Sequence, residues 1–373
     1  MLTDFEVSNY KLFKKPFILK SIPQILLIGG KNNSGKTSIL EALFLPFDQL
    51  EPGMFWRHLQ WRGLHEIDVN SLFELIYHNF ELNQPVKFAY TLNGKKQELT
   101  YTFQRATSQP ITEGDIINIK RESGGLSSEN QMPYNRMVIS CQSEKKKPLE
   151  IYLTQTEDGI YLDFGKDIQI RKDALKGREL IRQFNQNTLV GFISGAQSTP
   201  SLKNAKRFDQ LAKAKNTQNL LEALQILEPK LRSLTTIQMG KNPVIHGDIK
   251  GLKYQIPLPL MGEGINRLMS ILLSISDLKD GIILIDELEN GFHYSLLPKV
   301  MKVIAEHAQS HRTQVIATTH SRELQWAIVE GLPKNLQDQF QYTRIDRDGE
   351  EIKTKNYDFE ILVTALESNL ETR

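Results

Sequence analysis

The sequence predicts an α/β protein: a mixed, largely parallel sheet around a phosphate-binding loop, with an inserted antiparallel β lobe and a short helical insert. Three observations carry this. A glycine-rich turn, Gly30-Lys31-Asn32-Asn33-Ser34-Gly35-Lys36-Thr37, follows an apolar run and precedes a helical pattern. Two further apolar runs, residues 282–285 and 314–318, alternate with helical stretches in the second half of the chain, as in parallel strands joined by helical crossovers. Between these halves the texture changes to short alternating runs split by turn dipeptides, an antiparallel signature.

Taken in order, Phe17 to Leu19 and Ile25 to Ile28 read as strands, and the second, apolar at every position, suits burial on both faces. Thr37 to Phe44 reads as a helix ending near Pro46. From Val86 to Ile170, Asn93-Gly94 and Asp158-Gly159 each separate two alternating runs and predict hairpins, because Asn-Gly and Asp-Gly supply the positive-φ residues of a tight turn. Residues 171–241 read as largely helical. Leu220, Leu224, Leu227, Leu231 and Leu234 alternate spacings of four and three, and Pro229 divides the run into two short helices. A helix (Ile265 to Asp277), a strand (Ile282 to Ile285), a helix (Tyr294 to Gln309) and a strand (Gln314 to Thr318) follow. The tail adds a hairpin at Asp348-Gly349 and a helix from Phe359 to Leu370.

Composition excludes several classes. With 46 Lys+Arg against 44 Asp+Glu, neither a basic nucleic-acid coat nor a solvating acidic chain is indicated. The bias is local: Lys203 to Lys253 carries ten basic residues against four acidic, a net of +6. The lone Cys141 rules out an intramolecular disulfide and a thiolate-built metal site, and a reducing cytoplasm is expected. No run reaches the roughly 18 apolar residues of a membrane span.

Chemistry concentrates at three places. The loop from Gly30 to Thr37 satisfies G-x-x-x-x-G-K-[ST]: the backbone N–H groups of Gly30, Asn32, Asn33, Ser34 and Gly35 turn inward around phosphates. Lys36 reaches the β- and γ-phosphates and the Thr37 hydroxyl ligates Mg²⁺. A buried strand then delivers Asp286 at its carboxyl end to hold Mg²⁺, and Glu287 stands next to it to polarise a water. Finally, the strand ending Thr318-Thr319-His320-Ser321 presents an imidazole to the γ-phosphate.

Together these motifs, with Met261 to Leu268 and Leu284 to Tyr294, resemble the ATP-binding-cassette (ABC) ATPases of the RecF, SMC and OLD type. The sequence is most similar to the AAA-family ATPases of bacterial anti-phage and abortive-infection operons. The resemblance implies a P-loop NTPase fold of ABC type, with core segments 1–60 and 257–373, a β lobe at 61–170 and a basic helical insert at 171–256. It also implies site roles: Lys36, Glu287 as general base and His320 as switch histidine in catalysis; Gly30, Gly35, Lys36, Thr37 and Ser38 on ATP; Thr37 and Asp286 on Mg²⁺. Gly262 and Gly264 would belong to the signature segment, which completes the opposite subunit's nucleotide site; Gly262 stands where this family usually has serine, so backbone N–H groups remain to meet the phosphate. Gln197, with Gln142 as runner-up, would sense the metal. Glu289 to His293 would link the two sites of a dimer. The implied function is a nucleotide-controlled switch, a homodimer or higher homo-oligomer acting on a separately encoded effector in anti-phage defence. The alternative is a RecF-like DNA-repair or DNA-end-sensing ATPase that contacts nucleic acid through Lys203 to Lys253.

Overall fold

The computed structural model describes residues 1–48, 53–64, 72–106, 116–118, 134–143, 148–156, 159–164, 179, 181–196 and 199–372. In chain order the strands are β1 (Leu2–Ser8), β2 (Phe17–Leu19), β3 (Ile25–Gly30), β4 (Val86–Leu92), β5 (Lys95–Ala106), β6 (Ile116–Asn118), β7 (Tyr134–Ser143), β8 (Leu149–Thr156), β9 (Gly159–Phe164), β10 (Val190–Ile193), β11 (Leu231–Met239), β12 (Asn242–Ile249), β13 (Ile256–Pro257), β14 (Ile282–Ile285), β15 (Gln314–Thr318), β16 (Phe340–Asp348) and β17 (Glu351–Tyr357). The helices are α1 (Lys36–Phe44), α2 (Met54–Trp61), α3 (Ser201–Lys213), α4 (Gln218–Leu224), α5 (Glu263–Asp277), α6 (Leu297–His311), α7 (Arg322–Gly331) and α8 (Phe359–Glu367).

Two contact-defined units emerge. The first comprises Met1–Ile22, Glu41–Thr188 and Arg347–Ile352. It holds an eight-stranded sheet in the order β2-β1-β4-β5-β7-β8-β9-β6. The β4–β5 hairpin turns at Asn93 (φ 47°) and Gly94 (φ 76°), the backbone that Asn-Gly predicts. β8 and β9 pair antiparallel as expected, while Asp158 between them lies outside the described residues. Phe5, Phe88, Tyr101 and Ile139 line the core of this unit.

The second unit comprises Pro23–Leu40, Leu189–Asp346 and Lys353–Arg373. Its six-stranded sheet runs β10-β14-β15-β3-β16-β17, and β10 through β16 are mutually parallel. Ile25–Gly30, Ile282–Ile285 and Gln314–Thr318 are buried at every position, as expected for strands covered on both faces. Parallel register brings the carboxyl ends together: Ile193 pairs with Ile285, Ile285 with Ala317, and Thr318 with Ile28. α5 lays Leu268, Leu272 and Ile275 into the apolar core, with Val300 and Ile304 of α6 in the same cluster.

Part of the expected helical insert is corrected. α3 and α4 form, but Leu231–Met239 and Asn242–Ile249 are an antiparallel hairpin, joined by β13 in a third sheet. Pro229 ends the helical run, β-branched Thr235, Thr236 and Ile237 favour extended backbone, and Gly240 takes the positive φ of 60° that the turn requires. Val190–Ile193, also within 171–241, is an edge strand of the six-stranded sheet. Among the described residues no helix is long and apolar enough to cross a membrane.

Candidate functional site

In an open parallel sheet, ligands bind beyond the carboxyl ends of the strands, and the predicted residues of the second unit gather there. β3 ends at Gly30, whose φ of 148° is inaccessible to most side chains and whose Cβ would lie 2.4 Å from the Ile345 carbonyl oxygen. The chain then turns through Asn33 (φ 63°) and Gly35 (φ 101°) into α1, with the Ser34 N–H donating to the Lys31 carbonyl at 3.3 Å. Lys36 folds back across this loop, its Nζ donating to the carbonyls of Gly30 at 2.8 Å and Lys31 at 2.9 Å. Burial lowers the Lys36 pKa, with the carboxylates of Asp286, Glu287 and Glu289 opposing it. Ser34 and Ser38 are buried in the same turn.

Thr37 Oγ1 donates to the two carboxylate oxygens of Asp286 at 3.0 and 3.2 Å. Thr318, at the end of the intervening strand β15, donates to Asp286 Oδ1 at 2.6 Å, and its hydroxyl accepts the Glu287 N–H at 2.9 Å. Glu287 occupies the left-handed region at φ 48°, which a non-glycine residue adopts only where neighbours hold it there. Two side chains do so besides Thr318. Arg267 Nη2 donates to the carbonyls of Asp286 (2.8 Å) and Glu287 (2.7 Å), while its Nη1 donates to the Ser194 carbonyl at 3.1 Å. Asn290 Nδ2 donates to Glu287 Oε2 at 2.6 Å. Gly195 lets the carboxylate approach: a Cβ there would sit 2.9 Å from Glu287 Oε2. The Glu287 side chain remains 41% exposed.

His320 follows β15 with its ring 45% exposed. Its Nδ1 lies 3.2 Å from Glu289 Oε1 and 3.9 Å from Glu287 Oε1, and its backbone N–H donates to Glu289 Oε1 at 2.9 Å. Buried Glu289 also accepts from Thr319 Oγ1 at 2.8 Å. Burial, outweighing four nearby carboxylates, lowers the Arg267 pKa.

The structure thus brings Gly30, Lys36, Thr37, Asp286, Glu287 and His320 together at the carboxyl ends of neighbouring strands of one sheet. Gly262, at φ 117°, caps α5 and is exposed; Gly264 packs so tightly that a Cβ would meet the Gly291 carbonyl oxygen at 2.6 Å. Neither is hydrogen-bonded to residues 30–38 among the described residues. Gln197 lies outside the described residues, although Gly195 just before it is beside Glu287. Gln142 is on β7 of the eight-stranded sheet. The sequence reading missed Thr318 and the clamping role of Arg267, since both depend on strand order; the polar Thr318-Thr319 pair ending an apolar strand was the available signal.

Residues 25–324 match the family described as "AAA domain, putative AbiEii toxin, Type IV TA system". An "ATP/GTP phosphatase" of Helicobacter pylori is 23% identical over 334 residues, covering 87% of this chain and 86% of the relative. An uncharacterized protein of Methanocaldococcus jannaschii, MJECL11, is 35% identical over 101 residues, 27% of this chain and 87% of that protein. Among solved structures, the Smc head domain with an extended coiled coil bound to the C-terminal domain of ScpA, derived from Pyrococcus furiosus, aligns at a TM-score of 0.49 and 12% identity over 99% of both chains. The match spans the phosphate loop, the Asp286-Glu287 strand end and His320, and the chain belongs to this AAA family of P-loop ATPases.

Proposed function

We propose that this ATPase is a switch: two copies close around Mg-ATP, hydrolysis reopens them, and the nucleotide state controls a separately encoded effector in anti-phage defence. The observation that carries the reading is the way Glu287 is held. An exposed carboxylate fixed in a strained backbone by Thr318, Arg267 and Asn290, next to Asp286 and Thr37, suits a base that must meet one water in one orientation.

The residues present fit the metal–nucleotide pair. Ser34 Oγ is buried with no hydrogen-bond partner among the described residues, Lys36 Nζ bonds two backbone carbonyls that phosphate oxygens can replace, and a hydroxyl and a carboxylate stand together at Thr37 and Asp286. Mg²⁺ supplies, when bound, charge that neutralises the phosphate oxygens. Thr37 and Asp286 would hold it, with Gln197, on the sequence alone, as a further contact, while Gly30, Asn32, Asn33, Ser34, Gly35 and Ser38 would surround the phosphates. Lys36 swings from its carbonyls to the β- and γ-phosphates. Glu287 takes the proton of the attacking water, and His320, steadied by Glu289, meets the γ-phosphate. Gly262 and Gly264, at the open N-terminus of α5, offer backbone N–H groups to the nucleotide of a second copy. The likeness to a protein named ATP/GTP phosphatase supports hydrolysis and extends the nucleotides to be tried to GTP.

The test is size and turnover together. Glu287→Gln with Mg-ATP is expected to bind nucleotide, run as a dimer in light-scattering chromatography, and hydrolyse about 10²–10⁴-fold more slowly than the parent. Lys36→Ala is expected to bind no ATP and stay monomeric. Parent-like turnover by Glu287→Gln removes the assignment of the base, and a monomer with trapped ATP removes the pairing. A second reading, contact with duplex DNA through Lys203 to Lys253, is favoured by exposed Lys203, Lys206 and Lys213 on α3, although Arg207 is tied to Asp277 at 3.0 Å. A mobility shift at low salt that Lys206→Glu abolishes supports it.

A further inference from the structure

The third sheet presents an open strand edge that the nucleotide site does not use. β11 is nine residues long and outermost in the order β11-β12-β13. Half the backbone N–H and C=O groups of an edge strand point away from its single neighbour. Its inner side is engaged: Leu231 is buried, Leu234 packs on the apolar core, and Thr236 Oγ1 donates to Asp209 of α3 at 2.7 Å. Toward the hairpin tip, Ile237 and Met239 are 40% and 51% exposed. Cations frame the strand. Lys230 and Arg232 stand at its start, Lys241 at the turn, Lys250 beside Lys230 through an amide-to-carbonyl bond of 2.8 Å, and Lys253 just beyond. All five are exposed, and none forms an ion pair among the described residues; Asp248 is the one acid from 229 to 256.

We infer that β11 accepts an extended, acidic segment of a partner protein, with apolar residues alternating among its acids, as a further strand of this sheet. The inference rests on the effector part of the proposed switch. A peptide backbone completes the outward N–H and C=O row in register, its carboxylates meet the cations at both ends, and its apolar side chains cover Ile237 and Met239. A sugar-phosphate strand would leave the row unmade and set phosphates against two apolar side chains. Tyr254, itself beneath Lys253 at 5.3 Å, is the one aromatic from 229 to 256 for bases to stack on.

The experiment uses the full chain without nucleotide, so that a failure of ATP-driven pairing leaves it untouched. A random dodecapeptide display library is selected on the protein, and the tightest peptide, fluorescently labelled, is the probe. Arg232→Glu/Lys241→Glu and Ile237→Lys/Met239→Lys are the variants; all four side chains are exposed, so unfolding midpoint and ATP turnover are expected to match the parent. Selected peptides are expected to be rich in Asp and Glu alternating with apolar residues. Each double variant is expected to weaken the probe about tenfold or more, and amides of 232–239 to gain hydrogen-exchange protection when it binds. Peptides without acidic bias, protection elsewhere, or affinity indifferent to both variants overturns the inference. So does a library that yields no binder while a labelled DNA duplex binds and loses affinity on the charge reversal, since the occupant is then nucleic acid.

Discussion

The guanidinium of Arg267 donates to three backbone carbonyls, those of Ser194, Asp286 and Glu287, and so joins the ends of β10 and β14 at the point where the backbone turns left-handed. No other side chain type offers that fork, because lysine is a point donor without a planar array. Arg267→Met leaves three carbonyls without their donor and is expected to lower stability on the order of 2–4 kcal/mol. It also frees Glu287, so turnover is expected to fall at least tenfold while ATP affinity stays near the parent's; Arg267→Lys is expected to restore part of the stability and little of the turnover. Denaturant titration and phosphate release with a nucleotide-binding isotherm separate these effects, and equal losses in affinity and turnover would contradict the positioning role. Arg267 was visible in the sequence as part of the Gly262 to Arg267 segment. Its acceptors lie 19, 20 and 73 residues away along the chain, beyond the reach of any local pattern.

At the scale of elements, α1 carries Lys36 and Thr37 at its start and Glu41 one turn on. Glu41 is fully buried and accepts from Lys11 Nζ at 2.5 Å and from Arg62 Nε and Nη2 at 2.7 and 2.8 Å. Burial pushes its pKa up, but the Lys11 charge and the hydrogen bonds and charge of Arg62 together outweigh it and hold the carboxyl at about 2 against an ordinary 4.5. Lys11 itself is drawn below its ordinary value, by burial first, with the Glu41 charge opposing. On α2, His58 is buried against Phe44 and stacked on Trp61 at 4.9 Å, with neither ring nitrogen hydrogen-bonded among the described residues. Burial, then the Lys11 charge, lowers its pKa to about 3. Both folded values lie below the unfolded ones, so the unfolded chain takes up protons first as pH falls. Burial likewise lowers the pKa of His307 to about 4, so stability is expected to decline from about pH 6.5 as unfolded His58 and His307 protonate, and further from about 4.5 toward 2 as Glu41 adds on the order of 3 kcal/mol. Denaturant midpoints between pH 7 and 4 check this. His58→Gln is expected to reduce the decline between 6.5 and 4.5 to about half, the share of His307, and an unchanged slope there assigns the loss to other groups. The helix was legible in the sequence from its formers and from Pro46, whereas the burial of Glu41 was not, since a glutamate on a short helix reads equally well as solvated.

For the whole molecule, a single thiol serves as a reporter. Cys141 is buried in the eight-stranded sheet, and burial alone raises its pKa well above the ordinary thiol value. Native protein is expected to react with a thiol-specific reagent about 10³-fold or more slowly than unfolded protein at pH 8, at a rate that tracks opening of this sheet; rapid native labelling would mean that the sheet opens locally. Chain order does not follow these sheets. β1, which precedes the phosphate loop, lies between β2 and β4, and β4 comes from beyond the loop, so the first unit is assembled from three separate stretches. The sequence by itself determined the strand–loop–helix that cradles phosphate, the buried strands ending at Ile285 and Thr318, and the Asn93-Gly94 hairpin. Each rests on local demands: periodic burial, a positive φ, a missing N–H. Tertiary structure alone decided that β15 lies between β3 and β14, which puts Thr318 on Asp286, that Arg267 clamps a left-handed Glu287, and that residues 231–249 form a hairpin with an open edge. Strand order, register and buried charge pairing come from contacts between residues far apart in the chain, and no window of sequence carries their energy.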